Sequence, residues 1–295
     1  MYQSTKGPQS HLDSFASFGL LVSTLIAVVS VFGFKVFSLN PKLLVEMPWA
    51  LELYPYAYKA FAQAHIVFSA GALFLFLAAR GTPSWPLAAL GVYGLSFLSE
   101  FAGTSWGLPF GAYEYTDLLG PKIAGKVPFL IPVSWFFMGL ASYRLALAAP
   151  GASARGYAPR LWRLLGSTSI LVLWDLTLDP AMSYTTPFWI WEQPGRYYGM
   201  PWLNIGGWCL TGLGIMLLFE LCPGPQALSR LPVNFFRILY GANMILPIGL
   251  LAAVGAWLPI GLTLLLGLTL YGISRSLGRM KDSTHASDYS YSIGR

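Results

Sequence analysis

Long apolar runs, broken by short polar or Gly- and Pro-rich stretches, fill the chain from residue 15 to residue 273. A helix needs about 20 mostly apolar residues to cross a bilayer. The runs predict spans at 15–37, 57–79, 84–102, 128–148, 161–179, 203–221, 234–254 and 256–273. The last two form either a tight helical hairpin or one irregular element, because only a short Gly- and Pro-containing link separates them. The pattern predicts an all-α integral membrane protein, a bundle of about eight (seven to eight) transmembrane helices with irregular Gly-, Pro- and aromatic-rich loops on one face.

The polar ends of the chain define the domain plan. Residues 1–14 form a polar N-terminal tail, and 15–274 form a single transmembrane helical domain. Residues 275–295 are rich in Ser, Tyr and charge, which predicts a disordered polar C-terminal tail.

Composition supports the membrane assignment. Of 295 residues, 55% are hydrophobic and 10% are charged, whereas a soluble domain carries about 25% charged residues. The net charge of +6 comes from basic residues scattered at helix ends rather than clustered. This distribution favours a role in membrane orientation, with lipid as the surrounding partner and no nucleic acid.

Lys and Arg also predict sidedness, because cytoplasmic loops carry an excess of them. With eight spans both termini share one side, which holds twelve basic residues: Lys6, Arg80, Arg144, Arg155, Arg160, Arg163, Arg230, Arg237, Arg275, Arg279, Lys281 and Arg295. The other side holds six: Lys35, Lys42, Lys59, Lys122, Lys126 and Arg196. We therefore expect both termini in the cytoplasm, in a bacterial plasma membrane or a thylakoid.

The carboxylates show the opposite bias. Eight of the twelve are expected near the outer side: Glu46, Glu52, Glu100, Glu114, Asp117, Asp175, Asp179 and Glu192. Acids that simply fill loops would explain part of this bias. Glu100 and Asp175 fall within apolar runs instead, and an ionisable residue at membrane depth is costly enough to indicate function.

The first candidate segment leaves the third span at Glu100 and continues through a Gly- and Pro-broken loop. Irregular backbone near membrane depth is tolerated when it packs inside protein or lines a cavity. The segment brings Trp106, Tyr113 and Tyr115 toward a pocket mouth as substrate-binding residues. The alternative is an interfacial aromatic belt with one paired Glu.

The second segment pairs Asp175 with Asp179, next to Trp174. Residues four apart share one helix face, and Pro180 should end the helix at Asp179. Two close carboxylates in a poorly solvated site cannot both ionise cheaply, so the pair should hold one proton near neutral pH and place an acid beside a base. A salt bridge to an arginine or an end-of-helix polar pair is the structural alternative.

The third segment joins the fifth and sixth spans on the same outer side. It supplies one further acid, Glu192, and five candidate substrate-binding residues: Trp189, Trp191, Tyr198, Trp202 and Asn204. It also resembles the first segment. Seven residues, Glu100, Gly103, Trp106, Gly107, Leu108, Pro109 and Phe110, align without gaps on Glu192, Gly195, Tyr198, Gly199, Met200, Pro201 and Trp202. The match is either a parallel internal repeat or chance in an aromatic-rich chain.

Other residues limit the chemistry. Three histidines are too few for a multi-His di-iron site, no phosphate-binding glycine motif occurs, and the two cysteines indicate neither a disulfide framework nor a metal site. We expect no metal and no cofactor. His65, in the second span, is either a hydrogen-bonded packing residue or part of a proton relay.

The three segments, Glu100 to Tyr115, Trp174 to Pro180 and Trp189 to Trp208, resemble the carotenoid 1',2'-hydratase family, whose members include γ-carotene and bisanhydrobacterioruberin hydratases. The resemblance covers most of the chain and is densest from 97 to 210. It implies an enzyme, a hydro-lyase of carotenoid biosynthesis that adds water across the terminal C1=C2 bond of an acyclic carotenoid ψ-end. The implied substrate is a carotenoid dissolved in lipid, such as lycopene, γ-carotene or a bacterioruberin precursor.

Acid–base chemistry suits such a reaction. Protonation at C2 gives a tertiary cation at C1, aromatic faces stabilise the cation, and water held by a carboxylate attacks it. Asp175 or Asp179 is expected to be the acid and the other the base, with Glu100 and Glu192 as rivals for either role. Three other functions stay open: an intramembrane prenyltransferase acting on isoprenoids, a proton-coupled transporter that uses the buried acids as a relay, and a carotenoid-binding scaffold.

Overall fold

The computed structural model describes residues 8–292, with side chains described for 11–276, and its architecture is almost entirely helical. The helices are α1 (Pro8–Gly33), α2 (Pro41–Glu46), α3 (Pro48–Arg80), α4 (Trp85–Trp106), α5 (Leu130–Ala146), α6 (Tyr157–Asp179), α7 (Trp202–Leu221), α8 (Pro225–Ser229), α9 (Val233–Ala253) and α10 (Trp257–Ser292). The strands are β1 (Tyr113–Tyr115), β2 (Lys122–Ile123), β3 (Val127–Pro128) and β4 (Trp189–Trp191). A 3-10 turn covers Asp117–Leu119, and π-helical turns cover Phe34–Ser38 and Pro180–Thr185. The side chains of 1–10 and 277–295 lie outside the described set, so the tails at 1–14 and 275–295 stay predictions.

Among the described residues, seven helices are long and apolar enough to cross a bilayer: His11–Ser38, Pro48–Arg80, Trp85–Trp106, Tyr157–Thr185, Trp202–Leu221, Val233–Ala253 and Trp257–Ser276. The membrane bundle of seven to eight helices is thereby confirmed. The sequence left open whether the last two spans are separate helices. They are separate, since α9 and α10 are joined at Gly255, which has φ 74°. The helix that falls short of a full membrane span is α5 instead.

Helix α5 is the centre of the bundle. Its 17 residues rise about 26 Å at 1.5 Å each, less than the ~30 Å hydrocarbon core. It packs against α3, α4, α6, α7 and α9, and nearly all of its side chains are buried. Because protein rather than lipid surrounds α5, its length does not have to match the bilayer.

Ion pairs tie the helix ends together at one face of the bundle. Arg80, at the end of α3, binds Asp13 near the start of α1 at 2.6 Å. Arg163, at the start of α6, pairs with Glu220 at the end of α7, and the Tyr143 hydroxyl donates to Glu220 at 2.6 Å. We call this end the arginine face. The connections 107–129 and 180–201 lie at the opposite end, the loop face.

The end of α6 departs from its predicted form. The α-helix ends at Asp179 as expected, but Asp179 keeps helical angles (φ −59°, ψ −52°) and the chain continues as the π-helical turn Pro180–Thr185. Pro180 has no N–H for the carbonyl of Leu176. The hydroxyl of Tyr197 donates to that carbonyl at 2.9 Å instead, so the helical conformation passes the proline without losing a hydrogen bond.

The two long loops are joined by a short antiparallel ribbon in which Tyr113 pairs with Trp191 and Tyr115 with Trp189. Alternation along the strands turns these four aromatic residues inward, while Glu114 and Ile190 are exposed. The two segments of the proposed internal repeat differ in secondary structure at their aligned acids. Glu100 lies on a helix, whereas its aligned partner Glu192 follows a strand.

Candidate active site

Glu100 is a buried, hydrogen-bonded acid at the loop end of the bundle. It lies one and a half turns before the end of α4, is 5% exposed, and accepts bonds from three side chains. Trp135 Nε1 donates to Oε1 at 2.8 Å, Tyr115 Oη donates to Oε2 at 2.8 Å, and Tyr113 Oη also donates to Oε2. Each of these hydrogen bonds stabilises the charged form of the carboxyl relative to its neutral form.

The two tyrosines are held as donors. Burial, reinforced by the neighbouring Glu100, raises the pKa of both Tyr113 and Tyr115 well above the usual value for a phenol. Gly103 makes room for the first of them, because a Cβ at this position would lie 2.9 Å from Cε1 of the Tyr113 ring. Gly103, one turn after Glu100, therefore leaves the space that lets Tyr113 donate to the Glu100 carboxyl.

Asp175 and Asp179 share a single amide. Asn204 Nδ2, from α7, donates to Asp175 Oδ2 at 3.2 Å and to Asp179 Oδ2 at 3.0 Å. Asp179 Oδ1 also accepts from Ser183 at 2.8 Å and from Trp191 Nε1 at 3.2 Å. Asp175 Oδ1 has no hydrogen-bond partner among the described residues. Two fully buried carboxyls bridged by one amide cannot both carry charge cheaply, so the arrangement suits a pair that shares one proton.

Glu100 and Asp179 border a small cavity of about 40 Å³, which we call the acid chamber. At roughly 10–15 Å³ per water, it has room for about three water molecules. Glu100 and Asp179 both line it, together with Asn204, Ser134 and a wall of aromatic and aliphatic side chains: Phe110, Tyr113, Tyr115, Ile131, Trp135, Trp174, Leu178, Trp189, Trp191 and Trp208. Asp175 lies one layer behind this lining, in contact with Asn204.

The sequence located most of this lining. Of the predicted residues, Tyr113, Tyr115, Trp174, Trp189, Trp191 and Asn204 are buried and line the chamber beside Glu100 and Asp179.

Besides Asp175, four predicted residues lie outside the chamber lining. Glu192 is exposed, because it follows Trp191 on the outward side of the strand alternation. Trp106 and Trp202 are 73% and 64% exposed at helix ends near the loop face, a position typical of an interfacial aromatic belt. Tyr198 packs on Tyr197 and Tyr184 rather than on the chamber.

Two tryptophans of the chamber wall were not predicted from the sequence. Trp135 and Trp208 stack with ring centroids 4.1 Å apart, and Trp174 meets Trp208 edge-on at 5.8 Å. Trp208 follows Asn204 by four residues and so shares its helix face, a signal that was available. Trp135 offered no such signal, because mostly apolar residues surround it in the sequence of α5.

His65 lies apart from the acids. Its Nδ1 is 3.1 Å from the Ser23 hydroxyl, Ser23 bonds Ser69 at 2.7 Å, and Asn243 donates to Ser69 at 3.2 Å. This network ties α1, α3 and α9 together inside the bundle, which fits the packing interpretation. A proton-relay role stays a prediction. Within the described side chains, no group of three or more His, Cys, Asp or Glu residues could hold a metal ion.

These features define a polytopic α-helical membrane protein with a tryptophan-walled acidic chamber near one end of its helices. The sequence profile of the family described as carotenoid biosynthesis protein matches residues 61–270, and the chain belongs to that family. The chain is also 37% identical over 187 residues to the bisanhydrobacterioruberin hydratase of Haloarcula japonica. That match covers 58% of this chain and 61% of the relative, less than two thirds of the relative's length. No solved structure matches the chain.

Proposed function

We propose that this protein is a carotenoid hydratase that adds water across the terminal C1=C2 bond of an acyclic ψ-end. The family and the similarity to a bisanhydrobacterioruberin hydratase support a hydratase acting on carotenoids. The observation that carries the proposal is the presence of two carboxyl groups, Glu100 and Asp179, on one tryptophan-walled cavity with room for a few waters. Acid–base addition of water needs these elements and no cofactor.

Asp179 is the proposed acid. It lines the chamber, whereas Asp175 lies behind Asn204 and does not reach the cavity surface. The proton shared by the pair is therefore delivered from Asp179 to C2 of the substrate. Asp175, bridged through Asn204, keeps a proton on the pair by making a second charge costly.

Glu100 is the proposed base. Its anion, fixed by three donors, faces the developing tertiary cation at C1 and orients a water toward it. Each desolvated tryptophan face can stabilise a cation by about 2 kcal/mol, and Trp135, Trp191 and Trp208 border the same space. Attack forms the C1–O bond, and Glu100 accepts the proton that the attacking water releases. Water in the chamber carries that proton back to Asp179, which restores the starting state.

The test is expression in a bacterial host that makes lycopene or γ-carotene, followed by mass spectrometry of the extracted pigments. The unaltered protein should add the mass of one water. Asp179→Asn should abolish that product and Asp175→Asn should reduce it. Asp117→Asn is the matched control, because Asp117 is exposed on the loop face and pairs with Lys122 at 3.0 Å.

Other outcomes would reassign the protein. Unchanged product from both Asp175→Asn and Asp179→Asn removes the pair from the mechanism. A gain of a prenyl unit indicates a prenyltransferase, and unaltered pigments from the unmodified protein favour a transporter.

We also propose that both termini lie in the cytoplasm. The arginine face gathers Arg80, Arg144 and Arg163, consistent with the excess of basic residues expected on the cytoplasmic side. A reporter enzyme that is active only outside the cytoplasm, fused after Arg295, should be inactive. Reporter activity there would reverse the assignment.

A further inference from the structure

Two more cavities continue from the acid chamber toward the side of the bundle. The middle cavity has a volume of about 60 Å³ and shares five lining residues with the chamber: Ile131, Ser134, Trp174, Leu178 and Trp189. The outer cavity has a volume of about 180 Å³ and shares Ala62, Phe188 and Leu246 with the middle one. Cavities that share lining residues are neighbours, so the three cavities lie in sequence from the acids outward.

The outer cavity faces the lipid side of the bundle. It lies between α1, α3 and α9, with Gly33, Ala57 and Leu250 among its lining residues. Two residues at its margin, Val29 and Phe61, are 51% and 36% exposed, and both belong to membrane-spanning helices. The opening therefore faces hydrocarbon rather than water.

The walls of the series are suited to a thin apolar chain. Nearly all the lining of the outer cavity is hydrocarbon or aromatic ring. Phe188, at the boundary between the outer and middle cavities, stacks on Tyr58 at 5.8 Å. The π-helical turns border the same path, through Phe34 and Phe37 at the outer cavity and Met182 at the middle one. Such turns widen a helix locally and often occur at functional sites.

We propose that these cavities form one substrate tunnel, through which a linear polyene hydrocarbon enters from the bilayer between α1, α3 and α9 and presents its end to the acid chamber. This inference rests on the proposed function. The tunnel holds the polyene in an apolar environment while its terminal double bond reaches Asp179 and Glu100.

Blocking the tunnel tests the route. Ala62→Phe fills the junction of the outer and middle cavities and should lower carotenoid hydration about tenfold or more, the scale of overfilling a packed cavity. Ala60→Phe is the matched control, because Ala60 lies two residues away, about 200° around α3, and is exposed. It should retain the activity of the unaltered protein. Equal activity of the two variants would overturn the tunnel while leaving the hydratase proposal intact.

Labelling gives a second readout that does not depend on catalysis. Ala62→Cys and Ala60→Cys are made separately in a background with Cys209 and Cys222 changed to Ser, and each is treated with a membrane-permeant maleimide in lipid vesicles. Added lycopene should slow labelling at position 62 and leave position 60 unchanged. Equal labelling rates at position 62 with and without lycopene would refute occupancy. Protection at position 62 in a protein that yields no hydrated product would preserve the tunnel and reject the proposed reaction.

Discussion

Replacing Asn204 should separate the two aspartates from their common donor. Asn204→Leu keeps the approximate shape of the side chain but removes the Nδ2 donor that lies 3.2 Å from Asp175 and 3.0 Å from Asp179. A hydrogen bond to a charged group contributes about 1.5–3 kcal/mol and a neutral one about 0.5–1.5 kcal/mol. With one proton shared by the pair, one bond of each kind is lost, so we expect a loss of roughly 2–4 kcal/mol in the free energy of unfolding.

The matched control is Thr211→Val, on the same helix. Thr211 is 3% exposed, and its hydroxyl has no hydrogen-bond partner among the described residues. Removing it should cost little or even stabilise the protein, since no bond is lost and a buried polar atom disappears.

Two measurements check the comparison. Unfolding in mixed micelles by increasing SDS fraction gives the free-energy difference, and pigment analysis gives the hydration rate. Loss of about 2 kcal/mol from the transition state corresponds to a rate about 30-fold lower. If Asn204→Leu were as stable and as active as Thr211→Val, the amide would not hold the aspartate pair and the proposed acid would lose its structural basis.

Two further comparisons use matched pairs of variants. Glu100→Gln should abolish hydration, because it removes the anion that faces the cation. Glu192→Gln should leave the hydration rate unchanged, because Glu192 is exposed. Equal pigment yields from the two variants would contradict this expectation. Gly103→Ala should lower the rate about tenfold or more by moving the Tyr113 ring, which lies 2.9 Å from the added Cβ, while Gly94→Ala, on the same helix with no atom within 4 Å, should keep the rate of the unaltered protein.

The helical membrane fold follows from the sequence because lipid imposes a simple rule. Each spanning segment must be apolar and must satisfy its backbone internally, so the runs alone locate the helices. The same rule does not predict that α5 is surrounded by protein, because its 17 residues look like an ordinary short span. Its burial inside the bundle depends on contacts with five other helices, none of which leaves a local signal.

The candidate site was predicted in part for similar reasons. Asp175, Asp179 and Glu100 stand out because buried charge is costly wherever the chain places it. Strand pairing decided the rest: β1 and β4 turn Tyr113 and Trp191 inward and leave Glu192 outside. Side-chain direction along a strand reverses with every residue, so a loop sequence without a known register could not sort these positions.

The sequence by itself determined that this is a bundle of apolar helices with acids concentrated toward one end, because hydropathy and charge are properties of single residues. The tertiary structure alone decided which acids share a cavity, that Trp135 and Trp208 complete its wall, and that Asn204 bridges two carboxyls. Those facts depend on distances between segments far apart in the chain, and such distances are fixed only when the helices pack.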